Sequence, residues 1–315
     1  MALFLSTFLQ VVPVFLVVML GHLLRRMDIF DEGFTKRLSR FVYYVTIPPL
    51  MFQGIAKTNL SSVFDPTVIF SSFFTVSLLA ILTFLTASIW LPPPQRGVIT
   101  QGACRSNLVF VGLAVFVNLY GDSLLATALV FIAFQAFWIN LLVVVFLLLP
   151  YYSLRQYESW LRLAKEVAVN PVIIGSAIGM VFSALQWRVP GPMDQTLDWI
   201  AQTALPLAML TVGATLEASR IRTQGLLVFI ACFLKLIFLP ALTLLILSKI
   251  GIRGESLAMA VILFASPTAV ISYIMTKEMK GDEDLASAIV MATTVVSPLT
   301  MTLWVVLLRT LPPLL

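Results

Sequence analysis

The sequence predicts an all-α protein that crosses a membrane ten times, in two similar five-helix halves of opposite orientation. Three observations carry that expectation: an extreme apolar composition, span-length hydrophobic stretches along the whole chain, and an internal repeat. Of the 315 residues, 60% are apolar and 11% charged, and the mean hydropathy is +1.00. That balance does not suit a water-soluble monomer.

A hydrocarbon core roughly 30 Å thick needs about 20 apolar helical residues to cross it. Such stretches fall at 8–25, 38–57, 67–91, 98–119, 123–149, 166–185, 195–216, 225–248, 256–276 and 285–308. The first has no basic residue before it and Arg25 and Arg26 directly after it, so it reads as a retained span and not a signal peptide. The link from Pro150 to Ala164 is too short to bury a core of its own. Cys104 and Cys232 lie inside spans without metal-site spacing, and neither a metal nor a cofactor is expected.

The net charge of +5 does not point to nucleic acid, because the basic residues are scattered over the links between spans. They set an orientation instead. With the N-terminus outside, the inner links hold Arg25, Arg26, Lys36, Arg37, Arg40, Arg96, Arg155, Arg162, Lys165, Arg220, Arg222, Lys277 and Lys280. The outer side then holds Lys57, Arg188, Lys249, Arg253 and Arg309, leaving Arg105 and Lys235 within spans. Cations concentrate on the cytoplasmic side of membrane proteins, so both termini are expected outside. Trp90, Trp187 and Trp199 sit near span ends, where amphipathic rings meet the headgroups. Arg155, Tyr157, Trp160 and Arg162 are expected along the inner surface.

An offset of 158 residues pairs Pro13-Val14 with Pro171-Val172, Gly21 with Gly179, and Pro48 with Pro206. An offset of 160 then pairs Ser106 with Ser266, Gly121-Asp122 with Gly281-Asp282, and Leu125-Ala126 with Leu285-Ala286. The ordered series argues for duplication, with halves at 1–150 and 151–315 interleaved in one membrane domain. Five is odd, so the second half enters from the opposite side, a symmetry common among alternating-access transporters.

The fourth and ninth spans carry the unusual chemistry, Gln101-Gly-Ala-Cys-Arg-Ser-Asn107 and Ala265-Ser-Pro-Thr268. Proline removes a backbone donor, while Ser, Asn and Gly serve freed backbone groups beside a cavity, so both spans read as interrupted helices. Interrupted helices expose backbone ends that can hold ligands, making Ser106, Asn107, Ser266 and Pro267 candidate substrate residues. Pro48 and Pro206 are candidates for helix crossing, although a packing kink explains them equally well. Gln101, Gln135 and Asn140 are the uncharged polar candidates for a sodium site, with Gln135 also a candidate substrate residue, although each can equally tie helices together.

All fifteen acids lie in links or near span ends, whereas Arg105 and Lys235 lie within spans. A mid-membrane cation costs roughly 2.5–3.5 kcal/mol on insertion scales, so it needs a partner or a task. Lys235 can compensate the carbonyl end of a broken helix or attract an anion. Arg105 can bind an anion or snorkel toward the interface. A proton antiporter of the paired-aspartate kind has no buried acid to use here.

Together these segments resemble the auxin efflux carrier family over nearly the whole chain. The resemblance is carried by Ile47-Pro-Pro-Leu-Met-Phe52, Ser106-Asn-Leu-Val-Phe-Val-Gly112 and Leu119-Tyr-Gly-Asp122. It continues through Asn170-Pro171, Leu205 to Gly213, Lys235 to Pro240, and Ser266-Pro267. It implies ten helices in a scaffold domain and a transport domain, with helices 4 and 9 broken and crossed, and carriage of organic anions. Asn107 matches the family's substrate-contacting asparagine and Pro267 its ninth-helix crossover proline.

Ser106 and Ala114 stand where prolines are common in the family, which puts the first crossover in doubt. The short central link is similar to that of prokaryotic members, which implies a bacterial inner membrane, a small mono- or dicarboxylate and a possible homodimer. Three rival readings are a sodium-coupled carrier resembling the bile-acid symporters, a membrane-embedded enzyme, and a non-transporting receptor. The enzyme reading lacks buried acids or a metal cluster, and the sole histidine, His22, reads as structural.

Overall fold

A computed structural model describes residues 2–57, 63–151, 171–215 and 224–310. The link bearing Arg155, Tyr157, Trp160 and Arg162 lies outside the described residues. The first half contains α1 (Ala2–Arg26), α2 (Glu32–Phe41), α3 (Ile47–Ala56), α4 (Pro66–Trp90), α5 (Pro93–Cys104), α6 (Leu113–Tyr120) and α7 (Leu125–Leu148). The second contains α8 (Pro171–Ala184), α9 (Gly191–Ala214), α10 (Gly225–Phe233), α11 (Leu239–Lys249), α12 (Gly254–Ala265), α13 (Ile271–Glu278) and α14 (Glu283–Thr310). Among the described residues, six helical runs are long and apolar enough to cross a membrane, and Leu108–Tyr120, Ile173–Ala184 and Gly254–Ala265 are shorter apolar helices. No strand is present among the described residues.

Helix starts are written locally. Asp31 accepts a hydrogen bond from the Phe34 amide at 2.6 Å, and Asp65 accepts from Thr67 and Val68 at 2.9 and 3.2 Å. Each satisfies amide donors that a helix start leaves free. The Asp31 cap starts α2 six residues before the apolar stretch that predicts it, because an amphipathic turn precedes the buried part.

Among the described residues, three wide π turns interrupt the helices, at Val42–Thr46, Leu108–Gly112 and Leu234–Phe238. The last follows from proline chemistry. Pro240 has no N–H for the carbonyl of Leu236, and the Trp304 indole donates to that oxygen at 2.8 Å instead. Trp304→Phe strands a buried carbonyl, and a loss of roughly 1–3 kcal/mol is expected in detergent unfolding. Pro298 likewise frees the Thr294 carbonyl, which accepts the Ser297 hydroxyl at 2.9 Å.

The helices gather in two groups. In one, α1 packs on α9, α3 packs on α8, and α3 and α9 join the pairs. These contacts need glycine. A Cβ at Gly213 would sit 1.8 Å from the Val18 carbonyl oxygen, and one at Gly21 would sit 2.1 Å from that of Leu210. On the other pair, Gly175 and Gly179 meet the backbone of Pro48 and Phe52 at 2.6 and 3.1 Å. Small residues at such crossings let helix backbones approach closely enough for dispersion to hold them in lipid.

The second group joins α4, α5, α7 and α10 to α14, with the closest pairings between α4 and α5 and between α11 and α12. Large apolar side chains such as Leu9, Met19, Phe70, Phe74, Leu226 and Phe229 are more than half exposed, as a lipid-facing surface requires. Trp90, Trp187 and Trp199 are also mostly exposed. Lys57, at the end of α3, pairs with Asp194 at 3.0 Å and Asp198 at 3.4 Å on α9. Burial lowers its affinity for the proton, but the two carboxylates outweigh that and hold the Lys57 pKa above its ordinary value.

At one end of the second group, the Asp282 carboxylate accepts from Gln95 at 3.0 Å, Gln224 at 2.8 Å and the Leu285 amide at 3.0 Å. It joins the starts of α5, α10 and α14. Burial raises its pKa, yet these donors outweigh burial and hold it below the ordinary 3.8. A depressed carboxylate pKa stabilises the fold above the unfolded value and ceases to do so as pH falls through the folded one. The parent protein should therefore lose thermal stability more steeply than Asp282→Asn as pH drops from about 5 to 3.

Candidate substrate site at the crossing of two broken helices

Helix α5 ends at Cys104 because the chain turns extended at Arg105 (φ −85°, ψ 94°). Helix α12 ends at Ala265, and Ser266 is extended (φ −62°, ψ 153°) as the residue before Pro267 must be. The two extended segments lie antiparallel. The Asn107 amide donates to the Pro267 carbonyl at 2.8 Å, the Ala269 amide donates to Arg105 at 3.1 Å, and Ser106 faces Thr268 between them. Pro267 can offer only a carbonyl, which is the group this pairing uses.

Side chains then serve the freed helix ends. Thr268 Oγ1 donates to the Gly102 carbonyl at 2.8 Å, and Ser266 Oγ donates to Leu263 at 2.7 Å. Lys235 Nζ donates to the Phe264 carbonyl at 2.5 Å and to Ser106 Oγ at 2.7 Å. Each helical segment beyond the break starts at the crossing, so positive ends of peptide dipoles meet there as well.

Beside the crossing is a cavity of about 120 Å³. Arg105, Ser106 and Asn107 form one wall; Tyr43 and Ile47 come from the first helix group, Ile139 and Asn140 from α7, and Ala269 to Ile271 from the second break. Arg105 is 5% exposed; its Nη2 donates to Asn140 Oδ1 at 2.6 Å and its Nη1 to Met275 Sδ at 2.8 Å. The guanidinium faces inward and does not snorkel. Asn107 Oδ1 accepts from the Phe110 amide at 3.3 Å, capping the segment that runs into α6. Its amide Nδ2 is buried with no hydrogen-bond partner.

A buried amide donor without an acceptor costs free energy, and Asn107 and Arg105 both line the cavity, so the pair suits an incoming anion. The family model for membrane transport proteins matches residues 6–305, almost the whole chain. The protein belongs to the auxin efflux carrier family of membrane transporters.

Relatives within that family include an uncharacterized transporter of Methanothermobacter thermautotrophicus, 25% identical over 95% of this chain and 97% of its own. A Rhizobium meliloti protein named "Putative malonate transporter" is 23% identical over 95% of both chains. Auxin efflux carrier component 8 of Arabidopsis thaliana is 21% identical over 85% of this chain and 88% of its own. Membership, together with the apolar helices, makes this a multi-pass membrane transporter.

The crossing of this carrier brings together Arg105, Ser106, Asn107 and Pro267, with Lys235 behind Ser106. Apart from Asn140, the other candidates do not line the cavity. Gln135 is buried against α4, where its Nε2 donates to the Ile69 carbonyl at 3.2 Å, and it does not line the cavity. Ser266 caps its own helix. Pro206 lies inside the continuous α9, and Pro48 begins α3 where its backbone meets Gly175 of α8; neither lines the cavity. Gln101 donates to the Ser272 carbonyl at 3.1 Å and to the Thr276 hydroxyl, and so ties α5 to α13.

Tyr43 and Met275 carry no sequence signal for a site, since an aromatic and a thioether in apolar spans read as packing. Asn140 stands out in sequence as a polar residue in α7, but only the fold selects it over Gln135.

Proposed function

We propose that this transporter carries a small organic anion, a mono- or dicarboxylate, and binds its carboxylate at the crossing. The observation that supports it best is that Asn107, whose Nδ2 is buried without an acceptor, and Arg105 line the same cavity. A carboxylate would accept from both, in charge-assisted hydrogen bonds roughly twice as strong as neutral ones. The relative named for malonate fits a carboxylate of this size.

The architecture that goes with this reading is ten spans in two inverted five-helix repeats, working by alternating access. Packing supports it: Gly21 meets Leu210 while Gly179 meets Phe52, and the offset of 158 maps each contact onto the other. The cavity lies between the two helix groups, where rocking or sliding of one against the other would expose it to either side. Both termini outside, a bacterial inner membrane and a homodimer complete the proposal.

Uptake of labelled acetate, malonate, malate and succinate into proteoliposomes tests it. At least one is expected to move, and Asn107→Ala to slow that one by about tenfold or more. A parent protein that moves none of them removes the carboxylate reading; a variant as fast as the parent on all of them removes the site.

A further inference from the structure

We propose that Lys235 is a positioning residue for the anion site and acts through Ser106. The proposal rests on the carboxylate site described above. Lys235 is 0% exposed and is carried on the π turn Leu234–Phe238, outside the lining of the cavity. Among the described residues its ammonium meets two neutral oxygens, the Phe264 carbonyl at 2.5 Å and Ser106 Oγ at 2.7 Å. Phe264 is in the last turn of α12, where the helix dipole is negative, so a buried cation is well placed there.

The two breaks differ in what imposes them. At the second, the Pro267 ring forces Ser266 extended. At the first, the position related by the offset of 160 is Asn107, so no ring restrains Ser106. The Lys235 ammonium supplies a restraint from outside, tying the Ser106 side chain to the end of α12. Ser106 is the residue between Arg105 and Asn107, the two proposed anion donors. Fixing it sets the direction in which both side chains leave the backbone.

The repeat makes this restraint one-sided. The offsets of 160 and 158 relate Lys235 to Thr75 and Ser77, neither a cation; Thr75 bonds its hydroxyl to Ser71 within its own helix at 2.8 Å, and Ser77 accepts from the Trp138 indole at 2.8 Å. The carbonyl end of α5 is served by the neutral Thr268 hydroxyl. The cation therefore holds the arm of the crossing that bears Arg105 and Asn107.

Amide hydrogen exchange of the full-length purified protein tests this without any substrate. In Lys235→Met the Asn107 and Ala269 amides, which bridge the two breaks, should exchange about tenfold faster or more, with the α1–α9 contact unchanged. Ser106→Ala, which leaves the ammonium on Phe264, should show a smaller change at the same amides. Unchanged protection overturns the proposal, and so does a loss spread equally over α1 and α9, which marks a general folding role.

Flux of labelled malonate and acetate then separates relay from contact. Either substitution should raise KM more than it lowers kcat, and the double variant should be no worse than Lys235→Met. Additive effects place Lys235 on the anion itself and overturn the relay. If the parent moves none of acetate, malonate, malate and succinate, the carboxylate site fails while the exchange result still decides the role of Lys235.

Discussion

Arg105→Gln is expected to cut anion flux by about 30-fold to a few thousand-fold, because truncating a buried charge partner costs roughly 2–5 kcal/mol and each 1.4 kcal/mol is a factor of ten. Arg105 is 5% exposed, and its guanidinium reaches from the crossing to Asn140 and Met275. Glutamine keeps a donor for the Asn140 oxygen and removes the charge. A mid-membrane cation is unfavourable for folding in itself, so thermal stability should hold or rise while transport falls. Initial uptake rates and detergent unfolding of the same preparation read both quantities. Unimpaired flux across the carboxylate panel would show that Arg105 does not face the transported anion.

Gly213→Val is expected to be the most destabilising of the glycine substitutions. The new Cβ would fall 1.8 Å from the Val18 carbonyl oxygen and 2.8 Å from the His22 amide nitrogen. Both are backbone atoms, so no side-chain rotation relieves the clash and α1 must separate from α9. Overpacking costs about 1–3 kcal/mol where side chains can adjust, and here roughly 3 kcal/mol or more is expected. Gly191→Ala is the control, since nothing lies within 4 Å of its Cβ and the change should be neutral or mildly stabilising. Equal unfolding temperatures for the two variants would mean that α1 and α9 are not packed as closely as described.

Much of the path of the chain is legible in its residues. Apolar stretches, Asp31 and Asp65 as caps, and prolines at helix starts mark where helices run, since each acts over a turn or two. Both breaks are legible too, from Ser106-Asn107 and Ser266-Pro267. The selection among polar candidates is not. Gln135 and Asn140 lie on one helix and both look like cavity residues, but five residues along a helix is well over a full turn, so they point in different directions. One meets the Ile69 carbonyl and the other the Arg105 guanidinium.

Lys235 shows the same division. Its place inside an apolar span argues for a compensating task, and the sequence leaves open whether a helix end or an anion receives the charge. The contact with Phe264 and Ser106 depends on the π turn, and that turn on Pro240 and on the Trp304 indole some seventy residues away.

The sequence by itself determined that the protein is helical and apolar, which stretches of it run as helices, and that two of them break beside polar residues. Those features follow from periodicity, capping and proline chemistry, which act between near neighbours. Only the tertiary structure decided that the two breaks meet, that Arg105 turns inward to Asn140, and that Asn107 is left with a buried donor. These depend on contacts between residues more than a hundred positions apart, or on which face of a helix a neighbour covers, and no local pattern encodes them.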